Sequence, residues 1–217
     1  MMEEVPGEGK EGLDRWWLIH GVYGPFQALA RLEKAVEKPC ATLVSLLYAA
    51  LDVRMLLEGS LLAFGFFFQE GEISKSQSKA YRVKDHVQNL REIEPEIEKV
   101  LDFLRIFVDT AGREQPLAVP DFDRMNQYYG QIGGYLHSTV SNWEAVTRKG
   151  FGENLWELLG EIYREMKPMV TGGFPHPKLN EKGKELLGRF LRGKAGEEQV
   201  RKELAGSVWP RSKDASR

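Results

Sequence analysis

Arg54 and Glu58 stand four residues apart in the segment LDVRMLLEGSL (51–61), which is otherwise almost wholly apolar. On a helix that spacing brings both side chains to one face. A charge set among apolar neighbours needs a partner or carries a heavy desolvation penalty. A second segment, DRMNQYYGQIGGYLHS (123–138), offers Asn126, Tyr128, Tyr129, Gln131 and His137. Arg54, Glu58 and His137 are therefore the candidate chemical site. His137 would transfer a proton or bind a polar ligand, and Arg54 would hold an anion. The same three residues also read as a hydrogen-bonded network inside a helical core, because structural ion-pair networks perturb proton affinities too.

Other chemistries find little to build on. The sequence has no Gly-rich dinucleotide or phosphate loop, no H-E-x-x-H, no G-x-S-x-G and no EF-hand loop. His20, His86, His137 and His176 never recur at i+3 or i+4, and Cys40 is the only cysteine, so no local metal-ligand spacing exists and no cofactor is expected. Gly130, Gly133 and Gly134 fall inside an apparent helix and read as close helix packing rather than a phosphate cradle. The densest basic stretch, 182–202, carries Lys182, Lys184, Arg189, Arg192 and Lys194. These are candidate phosphate contacts, but Glu181, Glu185, Glu197 and Glu198 dilute them toward an ordinary solvated face. Trp16 and Trp17 are adjacent and cannot both face one core, and Phe66, Phe67 and Phe68 run consecutively. Both groups are candidate interface residues, with core packing the alternative reading of the phenylalanines.

Two pieces carry a family resemblance: R-x-x-x-E-G from Arg54 to Gly59, and a later helix closing in Y-L-H-S from Tyr135 to Ser138. Together with the helix order over 39–138 they resemble the HEPN-type helical domains of prokaryotic toxin, defence and nucleotide-linked systems. Ribonucleases of that family use an arginine followed four to six residues later by a histidine. His137 has no such arginine; the spacing occurs instead at Arg15 and His20, with Trp16 where a polar residue is usual. The resemblance thus implies a HEPN-like scaffold whose nuclease chemistry is absent or altered.

These residues must be positioned by helices. Apolar residues recur with helical period over 25–37, 97–108, 122–138 and 153–166, with shorter helices over 77–90, 180–191 and 197–204. The stretch 40–69 is apolar nearly all round, which predicts a long central helix covered by the others. Asp52, Arg54 and Glu58 interrupt it, so it does not read as a membrane span. Pro25 and Pro95 suit first helical turns, Asp121 or Asp123 a cap, and Pro168 a helix end. No alternating strand pattern and no internal repeat appears. The expectation is an all-α helical bundle around a long buried central helix, with a short C-terminal helical appendage. Residues 1–12 form an unstructured lead-in, 13–170 the bundle, 178–206 the appended helical pair and 207–217 a tail.

Composition agrees. The 217 residues are 42% hydrophobic and 29% charged, with Lys+Arg 30 against Asp+Glu 32 and a net charge of -2. That places the chain among globular proteins and supplies no overall attraction to nucleic acid or anionic membrane. An acidic, Gly-rich start without an apolar run is not a signal peptide, and one free thiol fits a reducing, cytoplasmic setting. The expected function is a non-catalytic helical interaction protein, with a protein partner or a second copy, in a defence or toxin–antitoxin assembly. The alternatives are an RNA-cleaving enzyme and a small-ligand or nucleotide sensor.

Overall fold

The structure is a computed structural model that describes residues 24–37, 42–68, 80, 82–111, 118–141, 150–172, 179 and 181–205; the side chains of 67, 68, 111 and 138–141 are not among those described. Within these residues the chain is all-α, with eight helices and no strand. They are α1 (Pro25–Val36), α2 (Leu43–Phe68), α3 (Val83–Ile93), α4 (Ile97–Ala111), α5 (Phe122–Ser141), α6 (Phe151–Thr171), α7 (Glu181–Leu191) and α8 (Glu197–Ala205).

Helix α2 is the long central element the sequence predicts, and α1, α3, α5 and α6 all pack against it. Its Ala50, Val53, Leu56, Leu57 and Ala63 are wholly shielded from water. Of these, Ala50, Val53, Leu56 and Leu57 meet Leu32 of α1, Leu90 of α3, Ile132 of α5 and Leu159 of α6 in one continuous core. Burying each Leu or Val contributes about 1.5–3 kcal/mol, which is why a helix carrying three charges still sits in the middle.

Local chemistry sets the helix ends. Pro25 opens α1 at its first turn, where the missing N–H costs nothing. Of the two candidate caps for α5, Asp121 acts: its Oδ1 accepts the Arg124 backbone N–H at 2.9 Å. Pro168 does not end α6, contrary to the sequence expectation; the helix continues to Thr171. A proline forfeits only its own N–H, and four residues from the end few backbone bonds remain to lose. The Gly172 N–H still reaches the Pro168 carbonyl at 3.0 Å. Between α7 and α8 the chain turns at Gly193, whose φ of 67° suits a residue without Cβ. Its N–H bonds Phe190 O at 2.9 Å and the Lys194 N–H bonds Arg189 O at 2.8 Å, the double closure of a Schellman cap.

Helix α4 has two apolar faces. Ile97, Val100, Leu101 and Leu104 join the main core. Phe103, Ile106 and Phe107 point elsewhere, into a second cluster with Leu186 of α7 and Val200 and Leu204 of α8. The C-terminal pair is thereby docked on the bundle through α4, with the Phe103 and Phe190 rings 5.8 Å apart. Arg189 clasps Glu203 at 3.0 and 2.8 Å and ties α7 to α8.

Candidate partner-binding face

Three polar clusters stitch the bundle together. Glu33 of α1 accepts hydrogen bonds from the Tyr163 hydroxyl and, at 2.9 Å, from Lys167 Nζ, both on α6. Arg124 of α5 binds Glu161 and, at 3.2 Å, Glu165, while its guanidinium lies 4.6 Å over the Tyr128 ring. The buried Tyr128 hydroxyl donates to Glu161 at 2.8 Å. Burial, then the two carboxylates, push the Tyr128 phenol far above its ordinary range, so it stays a donor and does not ionise. Every charge in these clusters has an opposite partner, which fits clasps between helices rather than catalytic groups held ready for a substrate. Neither clasp is legible from sequence spacing, because the residues that meet across helices lie 33 or more positions apart.

The third cluster contains two of the expected site residues. Arg54 lies 3.7 Å from Glu58, and its guanidinium donates to the Tyr129 hydroxyl and lies 4.8 Å from the centroid of that ring. Burial raises the Glu58 carboxyl above its usual range, opposed by the Tyr129 hydroxyl and then by the Arg54 charge. Both side chains are partly open to water, Arg54 at 35% and Glu58 at 26%. They sit at the edge of the core and not within it. Tyr129 takes the place beside Arg54 that the sequence reading gives to His137. His137 is exposed and lies eight residues further along α5, about 12 Å of helix rise.

The remaining candidates are distributed as follows. Trp16, Trp17, His20, Cys40 and His176 lie outside the described residues, as do the side chains of Phe67 and Phe68. Phe66 is buried, 6% exposed, and belongs to the interior. In the basic stretch Arg189 is committed to Glu203 and Lys184 to Glu181 at 3.1 Å. Lys182, Arg192 and Lys194 are exposed. No group of three or more metal-ligating side chains forms among the described residues, and no described helix is long and apolar enough to cross a membrane.

One surface stands out by its exposed apolar side chains. Val44, Tyr48 and Leu51 of α2 are 62%, 67% and 44% exposed. They recur at i, i+4 and i+7, so they form one stripe, and half-buried Met55 extends it by a turn. At 100° per residue, Asp52 and Arg54 fall on either side of that stripe, about 160° apart across it. Asp52 is bound by Arg31 of α1 at 2.7 Å, and Arg54 by Tyr129 of α5. The stripe is therefore the open arc of α2 between α1 and α5, edged by two polar contacts. On α5, a Cβ built on Gly130, Gly133 or Gly134 would meet nothing within 4 Å. Among the described residues those glycines do not mark close helix packing. Sequence pattern alone could not reveal the stripe, because a helix apolar all round reads as covered all round.

Comparison with protein-family models, with curated proteins and with solved structures finds no match for the chain.

Proposed function

We propose that this protein is a non-catalytic helical interaction module and that the open arc of α2 receives one amphipathic helix of a protein partner. The observation that carries the reading is the exposed Val44–Tyr48–Leu51 stripe, apolar at its centre and edged by the Arg31–Asp52 and Arg54–Tyr129 contacts. An apolar centre with a polar rim is the anatomy of a protein interface, and anchors at i, i+4 and i+7 match helix-in-groove recognition. The internally matched charges support the same reading, since they leave the described ionisable clusters as clasps. The HEPN resemblance is part of the proposal: a HEPN-like scaffold serving assembly, in a defence or toxin–antitoxin setting within the cytoplasm. The RNA-cleaving alternative rests on Arg15 with His20, which lie outside the described residues, and on His137.

The test is binding of a fluorescein-labelled model peptide with leucines along one helical face, followed by anisotropy. Saturable binding is expected, weakened at least ~10-fold by the double substitution Tyr48→Glu, Leu51→Glu, which corresponds to about 1.4 kcal/mol. Absence of saturable binding, or equal binding to the double variant, overturns the reading.

A further inference from the structure

Resting on that reading of the α2 arc, we infer that its occupant is an acidic amphipathic helix, with an apolar face seated on Val44, Tyr48 and Leu51 and carboxylates along its flanks that meet the arginines of the two rims.

The centre of the arc selects only for apolar character. From Leu43 to Leu51 helix α2 carries no charged residue. Any preference for the charge of a partner must therefore arise at the rims, where polar groups set specificity more than affinity.

Both rims turn their cations outward. On the α1 side Arg31 binds Asp52, and the arginine side chain is 36% exposed against 14% for the aspartate. Lys34 follows Arg31 by three residues, which puts it on the next turn of the same rim, and it is exposed. On the α5 side Arg54 is 35% exposed and its neighbour Glu58 26%. Helix α3 packs against both α2 and α5, and Arg82 stands at its start. Arg82 binds Asp85 at 2.9 Å, with exposures of 55% and 32%. The Asp85 carboxylate, and more weakly the Tyr129 phenol, raise the Arg82 proton affinity, so Arg82 shares a neighbour with Arg54. In all three pairs the guanidinium is the outer member. A helix settling into the arc meets cations first.

These cations keep hydrogen-bonding capacity. Among the described residues Arg54 uses only Nη2, toward Tyr129 and Glu58, which leaves Nε and Nη1 for an incoming carboxylate. Arg82 holds Asp85 through Nε and Nη2, which leaves Nη1. Hydrogen bonds from guanidinium to carboxylate are shorter and stronger than neutral ones. A helix flanked by lysines would instead set like charges against both rims. The whole chain has a net charge of -2, so it exerts no general pull on an acidic ligand. A preference for one would be local to the rims.

The test compares two fluorescein-labelled peptides with the same leucine face, one flanked by glutamates and the other by lysines, each titrated against the full chain at low ionic strength. The glutamate peptide is expected to bind at least ~10-fold tighter. The gap should close at about 0.5 M salt, where screening shortens to about 4 Å. Arg54→Gln with Arg82→Gln should remove most of the preference, and the exposed Arg82→Gln alone, which leaves the packing untouched, should reduce it. Tyr48→Ala with Leu51→Ala should weaken both peptides. Equal binding of the two peptides, or tighter binding of the lysine peptide, overturns the inference; if the Tyr48 and Leu51 substitutions still weaken that binding, the docking reading of the arc stands. A glutamate preference that survives both arginine substitutions in full places the charge recognition elsewhere and also overturns it. Saturable binding of neither peptide removes the docking reading and this inference together.

Discussion

The Arg54 guanidinium stacks 4.8 Å from the centre of the Tyr129 ring and donates to the hydroxyl of the same residue. One residue of α5 thus offers Arg54 both a π-face and an acceptor, and this joins α2 to α5 along one rim of the open arc. Tyr129→Phe keeps the ring and removes the acceptor. A loss of about 0.5–1.5 kcal/mol in unfolding free energy is expected. Tyr129→Leu removes both and should cost a further ~0.5–1 kcal/mol. Urea unfolding of the two variants separates the contributions; equal losses would show that the ring face contributes nothing.

Glu58 carries the opposite sign from a stabilising ion pair. Its folded proton affinity is raised, chiefly by burial. Between the unfolded carboxyl value, about 4.3, and the raised folded value, the native state binds more protons than the unfolded state. Stability therefore falls as pH rises through that window, and the penalty is fully present at neutral pH. Glu58→Gln should raise the melting temperature at pH 7 by up to about 2 °C and flatten its dependence above pH 4.5. A lower melting temperature at pH 7 would mean that the contacts with Arg54 and Tyr129 outweigh desolvation.

His86 of α3 is buried, at 4% exposure, and burial holds its proton affinity below the ordinary imidazole value, with nearby Asp85 opposing. Below about pH 6.5 the unfolded chain takes up a proton that the folded chain declines. Stability should fall as pH drops from there toward the folded value, by at most about 1.4 kcal/mol per pH unit. His86→Leu is expected to flatten this limb of the melting curve. An unchanged slope between pH 6.5 and 5 would assign it to other groups.

The C-terminal pair depends on one side of α4. Phe103 is wholly shielded and packs on α7 and α8 rather than on the main core. Phe103→Ala removes a buried ring whose loss typically costs about 3–5 kcal/mol. The expected result is faster amide exchange over 181–205 with protection in α2 and α6 retained. Uniform loss of protection would show the pair and the bundle to be one cooperative unit.

Periodicity made most of this architecture readable. Helix α2 lies at Leu43–Phe68 within the predicted 40–69, and α8 at Glu197–Ala205 against 197–204. It failed where tertiary context decides. The wide apolar stripe of α4 reads as one broad core face, whereas Val100 and Phe103 serve different clusters. The mutual contact of Arg54 and Glu58 follows from i, i+4 spacing, but their place at the rim does not. Hydrophobicity pattern reports that α2 is apolar on every side; which side its neighbours leave bare depends on where α1 and α5 settle. That in turn rests on Arg31, Asp52 and Tyr129, residues far apart in sequence.

The exposed stripe yields the most direct contrast between fold and recognition. A residue kept for packing loses stability when charged, because the charge must be buried. Val44, Tyr48 and Leu51 are bare enough that a glutamate at Tyr48 or Leu51 remains hydrated. Tyr48→Glu and Leu51→Glu should each shift unfolding free energy by no more than about 0.5 kcal/mol if nothing covers them. Leu57→Ala, on the shielded side of the same helix, should cost about 2–5 kcal/mol. Chemical denaturation of this set reads both outcomes. A Tyr48→Glu loss well above about 1 kcal/mol would show that the stripe packs against some other part of the molecule, and the open arc of α2 would no longer be a docking face.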